Sequence, residues 1–456
     1  MTNPSRTLTG PGLAAKIKDR LIQQALERRA LLIEREESKP SAPSGGGTTI
    51  RGAKIPEAWT RFDEHPGYQR YRLIRDGARK IGVANPFFQV QEGVSSATAR
   101  VEGTECINFS GYNYLGLCGH SEVNAAATAA IEESGTSVSA SRIVSGERRV
   151  HQALEKELAG LYQTDDCIVM VSGHATTVTT LGYMFGPRDL IVHDALIHNC
   201  ALEGARLSGA KRLSFPHNDW QGLDNLLERC RHEHERVCVV IEGLYSMDGD
   251  FPDLPKFIEV KKRHRTFLMV DEAHSLGVMG ANGLGLREHF SVDPAEVDIW
   301  MGTLSKALAG CGGYIAGEQA LIDNLRHAAP GFVYSVGMPP PMAAASLVAL
   351  RVMLREPQRV QRLHKISSYF LTKARGLGID TGLSMGFSII PAITGGSLRA
   401  ARLSHALRSH GVNVQPILYP AVSEKAARLR FFMCSEHTEE QIDRALVALA
   451  LEWSRN

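Results

Sequence analysis

Lys306 stands alone among small and apolar residues in GTLSKALAGCGGYIAG, residues 302–317. A lysine drawn into such surroundings is desolvated, so its pKa falls and the free amine becomes a nucleophile. A lone lysine can equally snorkel its head to solvent or pair with a carboxylate, so its neighbours decide. Polar residues recur just after other apolar runs. Asp271 ends the run in TFLMVDEAH, three residues before His274. Glu242, Ser246 and Asp248 lie in VCVVIEGLYSMDGD; Ser172, Gly173 and His174 follow CIVMV; Asp194 and His198 follow DLIV; Thr303, Ser305 and Lys306 follow VDIWMG. Singly, each is ordinary, since turns are rich in Ser, Asp and Gly. Together they describe a cleft with an acid, imidazoles, hydroxyls and one amine, because ligands of open α/β sheets gather at the carboxyl ends of strands.

One cofactor uses that set. Pyridoxal phosphate takes a lysine for a Schiff base and a carboxylate on its pyridinium nitrogen. It also takes donors for its phosphate and phenolic oxygen and a flat group against its ring. Asp271 at a strand end, with a lysine 35 residues later at another strand-to-loop edge, has the order of aspartate-aminotransferase-type folds. Taken alone, Asp271 reads equally as a helix cap or a loop ion pair.

The elements that must hold these residues alternate from about residue 100 onward. TECINFS, CIVMVSG, DLIVHD, KRLSFP, RVCVVIEG, TFLMVDE and VDIWMG read as strands. Several are near-continuous apolar runs, as expected of strands covered on both faces. SEVNAAATAAIEESG reads as a helix from near Ser121 to a stop at Gly135. Helical segments at 220–232 and 255–264 complete a βαβ series. After about 345 a smaller α+β unit restarts with FSIIPAIT, NVQPILYP and RLRFFMC and ends in TEEQIDRALVALALEWSRN. At the other end, residues 13–37 form a helical pattern, with Leu13, Ile17, Leu21 and Leu26 near one face, and 39–49 has the composition of a flexible linker. That helix is either an arm for a sister subunit or a docking helix for a protein that delivers substrate. The expected organisation is an appendage and linker at 1–45, a lead-in segment at 46–110, a large domain at 111–343 and a small α+β domain at 344–456.

Composition excludes several classes. The 456 residues carry 51 basic and 49 acidic side chains, a balance with no footprint for nucleic acid or an anionic membrane surface. No apolar run approaches the roughly 20 residues of a spanning helix, and MTNPSRTLTGPG lacks a signal-peptide core. A cytoplasmic protein is expected. The eight cysteines form no CxxC pair, which favours reduced thiols over disulfides or zinc. The seventeen histidines include no HExxH, RHEHE around His232 and His234 reads as a charged helix face, and no metal site is expected. Lys306 lacks the GxxxxG of a nucleotide loop, and GANGLG at 280–285 does not match GxGxxG.

EGLYSMDGDFPDLP, VDEAHSLGVMGANGLG, GTLSKALAGCGGYIAG and FVYSVGMPPP resemble the α-oxoamine synthases, among them aminooxononanoate synthase, aminoketobutyrate ligase, 5-aminolevulinate synthase and serine palmitoyltransferase. The resemblance runs from about residue 85 to the C-terminus. It implies an α/β fold of the aspartate-aminotransferase type (fold type I): a large domain with a mostly parallel seven-stranded sheet, then the smaller α+β domain. It implies pyridoxal phosphate and a decarboxylative condensation of an α-amino acid with an acyl thioester, giving an α-amino ketone, carbon dioxide and free thiol.

Carried onto matching positions, the resemblance makes Lys306 the Schiff-base lysine and the acid and base at the substrate α-carbon. Asp271 holds the pyridinium proton, His274 and Ser246 contact the phenolic oxygen, and His198 stacks on the ring. Gly173 and His174 through their backbone, with Thr303, hold the phosphate. Ser335 reaches the phosphate of the neighbouring subunit, since family sites are shared across a homodimer. Arg430 grips the amino-acid carboxylate. Asn113 orients the substrate or simply shapes a turn. The chain departs from the family pattern in GTSVSASRIVSG at 135–146 and at Thr177, Val336 and Tyr112. These departures, with the appended helix, are most similar to the branch that releases chains from acyl carrier proteins in polyketide-type pathways. Two rivals remain: another fold-type I aminotransferase or decarboxylase, and a non-catalytic partner subunit, against which Lys306 argues.

Overall fold

The structure is a computed structural model that describes residues 55–80, 82 and 85–455; the helix expected at 13–37 and the linker at 39–49 lie outside the described residues. The large sheet has seven strands: β1 (Asp166–Met170), β2 (Leu190–Asp194), β3 (Lys211–Phe215), β4 (Val237–Glu242), β5 (Phe267–Asp271), β6 (Ile299–Thr303) and β7 (Gly313–Gly317). Their spatial order is β1-β7-β6-β5-β4-β2-β3, all parallel except β7, which runs antiparallel to both neighbours. Every residue of β2, β4, β6 and β7 is buried. That explains their apolar runs: helices cover both faces, so neither face selects polar residues.

β7 is the strand the sequence does not announce. GYIAG is short and bounded by glycine, and reads as loop. The glycine has a packing reason. A Cβ at Gly313 would lie 2.6 Å from the Gly173 Cα, so a side chain there would push β7 away from the helix beside it.

Helix α1 (Gly173–Met184) follows β1, and α2 (Asn199–Ser208) follows β2. The expected helix at 121 spans Ser121–Ser134 and stops at Gly135, whose φ of 73° suits glycine. RHEHE is not a helix face: the helix Trp220–Cys230 ends and Arg231–Glu233 makes one 3₁₀ turn. The Arg231 guanidinium there donates to the His264, His234 and Arg265 carbonyls.

The smaller sheet contains β8 (Ile389–Ile393), β9 (Gln415–Ile417) and β10 (Arg428–Phe432), ordered β8-β10-β9 and antiparallel. NVQPILYP divides: Val412–Asn413 pairs in parallel with the Thr104–Asn108 strand, linking the lead-in segment to the C-terminal part of the chain. Helix α3 (Pro340–Arg355) runs unbroken across the 343/344 division expected from the pattern, and packs on Ser121–Ser134 and Arg149–Tyr162. All eight cysteines are free thiols. Among the described residues no helix is long and apolar enough to cross a membrane.

Candidate active site

The carboxyl ends of β4, β5 and β6 and the N-termini of α1 and α2 enclose a cavity of about 280 Å3. Among the residues expected at a site, Gly173, His174, His198, Asp271, His274, Thr303 and Lys306 line it, together with Glu242, Cys200 and Ser305.

Lys306 sits three residues beyond β6 in a loop closed on itself by backbone bonds. The Leu304 amide donates to the Gly312 carbonyl (2.9 Å), and Gly310 donates to Leu304 (2.8 Å). Its Nζ lies 5.8 Å from the Tyr112 ring centroid. Desolvation lowers the amine to about 8, against the opposing pull of the Asp271 and Glu242 carboxyls. Asp271 and Glu242 are register partners on adjacent strands. Burial pushes Glu242 up to about 8 and raises Asp271 as well, while Lys306 and the Ala273 amide (2.9 Å) favour the Asp271 carboxylate.

The opposite end of the cavity is built to receive an anion. Ser172 caps α1, accepting from the Ala175 amide at 3.4 Å, so the first amides of the helix face the cleft. A Cβ at Gly173 would meet Thr303 Oγ1 at 2.8 Å; its absence lets helix and strand end converge. Thr303 Oγ1 donates to the Gly312 carbonyl (3.0 Å) and lies 2.8 Å from Ser305 Oγ.

Of the three imidazoles that line the cavity, two are held by hydrogen bonds. His198 caps α2: its Nδ1 accepts from the Cys200 amide at 3.3 Å, with the Cys200 sulfur at 2.9 Å. Burial pushes that thiol up to about 12, so it stays protonated and donates. His274 is parallel to Phe432 (5°, 6.4 Å), and its Nδ1 is 2.7 Å from the Tyr114 hydroxyl. Desolvation holds His274 well below the ordinary histidine range and keeps Tyr114 protonated.

The other expected residues are placed differently. Arg430, on β10, stacks over Phe432 at 4.6 Å and donates from Nη1 to the Ser246 carbonyl (2.9 Å), while its Nε is buried without a partner. It stands beside the cavity rather than in its wall. Ser246 is buried and tied through its backbone to Glu242 and Arg430; its side chain does not line the cavity. Ser335 lies away from it, its Oγ donating to the Val336 carbonyl (3.2 Å) between exposed Tyr334 and Val336.

For Asn113, substrate orientation and a turn were both left open, and its contacts are those of the turn. Its Nδ2 donates to the Ser95 carbonyl (2.9 Å) and its Oδ1 accepts from the Cys118 amide (3.0 Å). Both ends of the amide are engaged in shaping the 113–118 turn, and neither reaches the cavity. Tyr112, one residue earlier, faces Lys306 instead. Glu242 was marked by its strand-end position but given no role, and Cys200 and Tyr114 carry no signal in the sequence.

The donor set fits pyridoxal phosphate. There is one amine of lowered pKa for an aldehyde, one strand-end carboxylate for a pyridine nitrogen, flat rings on the walls, and a capped helix N-terminus with a hydroxyl for a phosphate. Fold and site thus define a pyridoxal-phosphate enzyme of fold type I. Residues 104–449 match the family described as aminotransferase class I and II. The 8-amino-7-oxononanoate synthase of Exiguobacterium sibiricum is 38% identical over 382 residues, covering 84% of this chain and 97% of that one. That of Symbiobacterium thermophilum is 36% identical over 375 residues, covering 82% and 95%. The serine palmitoyltransferase of Sphingomonas wittichii superposes with a TM-score of 0.81 at 29% identity, covering 85% of this chain and 97% of that one. The chain belongs to the class I and II aminotransferase family, in its α-oxoamine synthase branch.

Proposed function

We propose that this protein joins an α-amino acid to the acyl group of a thioester, with loss of carbon dioxide and release of thiol. The observation that carries the reading is a single desolvated amine, Lys306, brought to about 8 and faced by Asp271 in a cavity that ends at a helix N-terminus. Such an amine is partly unprotonated near neutral pH, as a nucleophile and proton carrier must be. The names of its relatives, 8-amino-7-oxononanoate synthase and serine palmitoyltransferase, support the same reaction class.

Bound pyridoxal phosphate supplies an electron sink for the negative charge that develops at the amino-acid α-carbon. With the cofactor bound, Lys306 would hold it by its aldehyde carbon, and the amine, once free, would take and later return the proton at the substrate α-carbon. Asp271 keeps the ring nitrogen protonated. His198 would pack on the ring face, and His274, which lines the cavity, would orient the phenolic oxygen. The amides of Gly173 and His174 and the Thr303 hydroxyl hold the phosphate. Arg430 presents its unpartnered Nε edge to the substrate carboxylate. The α-carbon attacks the thioester carbonyl, the carbon–sulfur bond breaks and thiolate departs with its electron pair. Loss of carbon dioxide then leaves the α-carbon to be protonated by Lys306.

The finer assignments are also ours. The enzyme works as a cytoplasmic homodimer, with Ser335 reaching the phosphate bound by the other subunit; the exposed Tyr334 and Val336 beside it support an intersubunit location. The acyl group arrives on an acyl carrier protein of a polyketide-type pathway, a reading supported by the departures at Tyr112, Thr177 and Val336 from the pattern that the resemblance implies. In this reading the chain divides into a lead-in segment at 46–110, a large cofactor domain at 111–343 and a small C-terminal domain at 344–456, although α3 runs across the last boundary. The test is thiol release. Purified protein with pyridoxal phosphate should release free thiol only when both an amino acid and an acyl thioester are present. Amino-group transfer to a keto acid, without thiol, would support an aminotransferase instead.

A further inference from the structure

His217 lies outside the cavity, yet it joins the loop that leads to His198, in the cavity wall, to the loop that follows Glu242, another wall residue. The first loop leaves β2 at Asp194 and ends at His198, the cap of α2. The second leaves β4 at Glu242 and carries Ser246 and Asp250. His217 Nδ1 is 2.8 Å from Asp194 Oδ1, and its Nε2 is 2.8 Å from Asp250 Oδ2. Asn218 repeats the bridge: its amide donates to Asp194 Oδ2 and its Nδ2 to Asp250 Oδ2, both at 2.8 Å. Each aspartate in turn fixes its own loop. Asp194 is fully buried and its Oδ1 accepts from the Leu196 amide (2.7 Å), starting the turn into His198; the Asp250 carbonyl accepts from the Tyr245 amide (2.8 Å). The His217 ring also meets the Tyr245 ring edge-on, with centroids 4.5 Å apart.

At the cavity end the same two loops are tied a second time. Glu242 accepts from the His198 amide on Oε1 (2.6 Å) and from the Ser246 amide on Oε2 (3.3 Å). The loop that bears His198 is therefore clipped to the loop that bears Ser246 in front by Glu242 and behind by His217. Only the rear clip is ionic. Burial draws the His217 imidazole downward, but its hydrogen bonds to Asp194 and Asp250 prevail and hold it up at about 10, so it carries its charge at neutral pH. Without that cation two buried carboxyls would face each other with only Asn218 between them, a repulsive arrangement that opens the clip.

We propose that His217, clamped between Asp194 and Asp250, is a positioning residue that sets the pose of His198 toward the cofactor ring. The inference rests on the reading above that His198 packs on that ring. Its mark is non-additivity: a residue that acts through His198 has nothing left to act on when His198 is gone.

The test uses the full-length protein and its equilibrium affinity for pyridoxal phosphate, measured by dialysis, with amide hydrogen exchange over 194–200 as a second readout. Four forms are compared: the parent, H198A, H217Q and H198A/H217Q. His217→Gln should weaken cofactor binding by about tenfold and speed exchange over 194–200, while the double variant should bind within about twofold of H198A alone. If His217→Gln costs the same factor with and without His198, or changes affinity in neither, the proposal is overturned. Should H198A itself leave affinity unchanged, the role assigned to His198 fails first, which separates the two failures. Should H217Q not fold, Asp250→Asn, which leaves the His217–Asp194 half of the clip in place, is used in the same cycle with the same criteria.

Discussion

Glu242 and Asp271 stand side by side at the carboxyl ends of β4 and β5, and both carboxyls act on one amine, that of Lys306. The three groups share one desolvated space and oppose one another. Burial favours the neutral form of each, and the attraction between amine and carboxyls favours the charged forms. The outcome is an amine near 8 beside a Glu242 carboxyl also near 8, with Asp271 raised from its ordinary value but nearest in effect to the lysine.

In cofactor-free protein, the rate at which the Lys306 amine is acetylated by acetic anhydride, with acetate as leaving group, should therefore rise with a midpoint near pH 8, well below an ordinary lysine. Asp271→Asn removes the strongest stabiliser of the ammonium form and should move the midpoint lower still. Competitive labelling with mass spectrometry across pH reads both. A midpoint near that of free lysine would mean the amine reaches solvent.

Asp271→Asn should also keep the cofactor bound but slow turnover by about 10² to 10³, the usual cost of removing one preorganised electrostatic partner of a developing charge. Equilibrium dialysis and steady-state kinetics on the same sample separate binding from rate. An unchanged kcat would end the assignment of Asp271 to the ring nitrogen.

Asn113 offers a test between turn and substrate. Because both ends of its amide bond to the backbone of the 113–118 turn and of Ser95, Asn113→Ala should lower unfolding stability by about 1–3 kcal/mol. The KM for amino acid should stay within about twofold. Urea unfolding and initial rates check the two halves; a large rise in KM with intact stability would restore the substrate role.

Arg430→Lys keeps the charge and loses the planar fork. It should raise the KM for amino acid by about tenfold or more and leave the KM for thioester nearly unchanged. Equal rises for both substrates would point to general damage around Phe432 instead.

The His217 clip predicts a pH dependence of stability. Its folded pKa, about 10, lies above the ordinary histidine value. The folded state thus holds its proton more tightly, so the contribution is complete below about pH 6.5 and is lost as pH rises toward 10. Across that window the slope is at most about 1.4 kcal/mol per pH unit. The stability difference between parent and H217Q, from urea unfolding at pH 7, 8 and 9, should shrink steadily; a difference that grows with pH would show that His217 is neutral in the fold.

What the sequence disclosed follows from how local each feature is. VCVVIE and FLMVD are strands on their own evidence, because a run buried on both faces needs only apolar side chains. Polar residues after such runs mark a cleft, since strand ends share one edge; Lys306, Asp271, His274, His198 and Thr303 came together on that rule alone. β7 was hidden because its signal is a glycine that spares a clash with Gly173, a contact between segments 140 residues apart. Asn113 stayed open between substrate and turn because the two bonds that occupy it are invisible until Ser95 and Cys118 are placed. The His217 clip joins three loops and leaves no periodic trace. Arg430 reaches the site from β10, in the smaller sheet, and only the resemblance to a family brought it forward.

The most direct test of the account is where the cofactor attaches. Protein incubated with pyridoxal phosphate is reduced with borohydride, digested, and mapped by mass spectrometry. The account predicts one pyridoxyl-modified peptide, carrying the group on Lys306, and its loss in Lys306→Ala. Modification at another lysine, or none at all with the cofactor in excess, would contradict it.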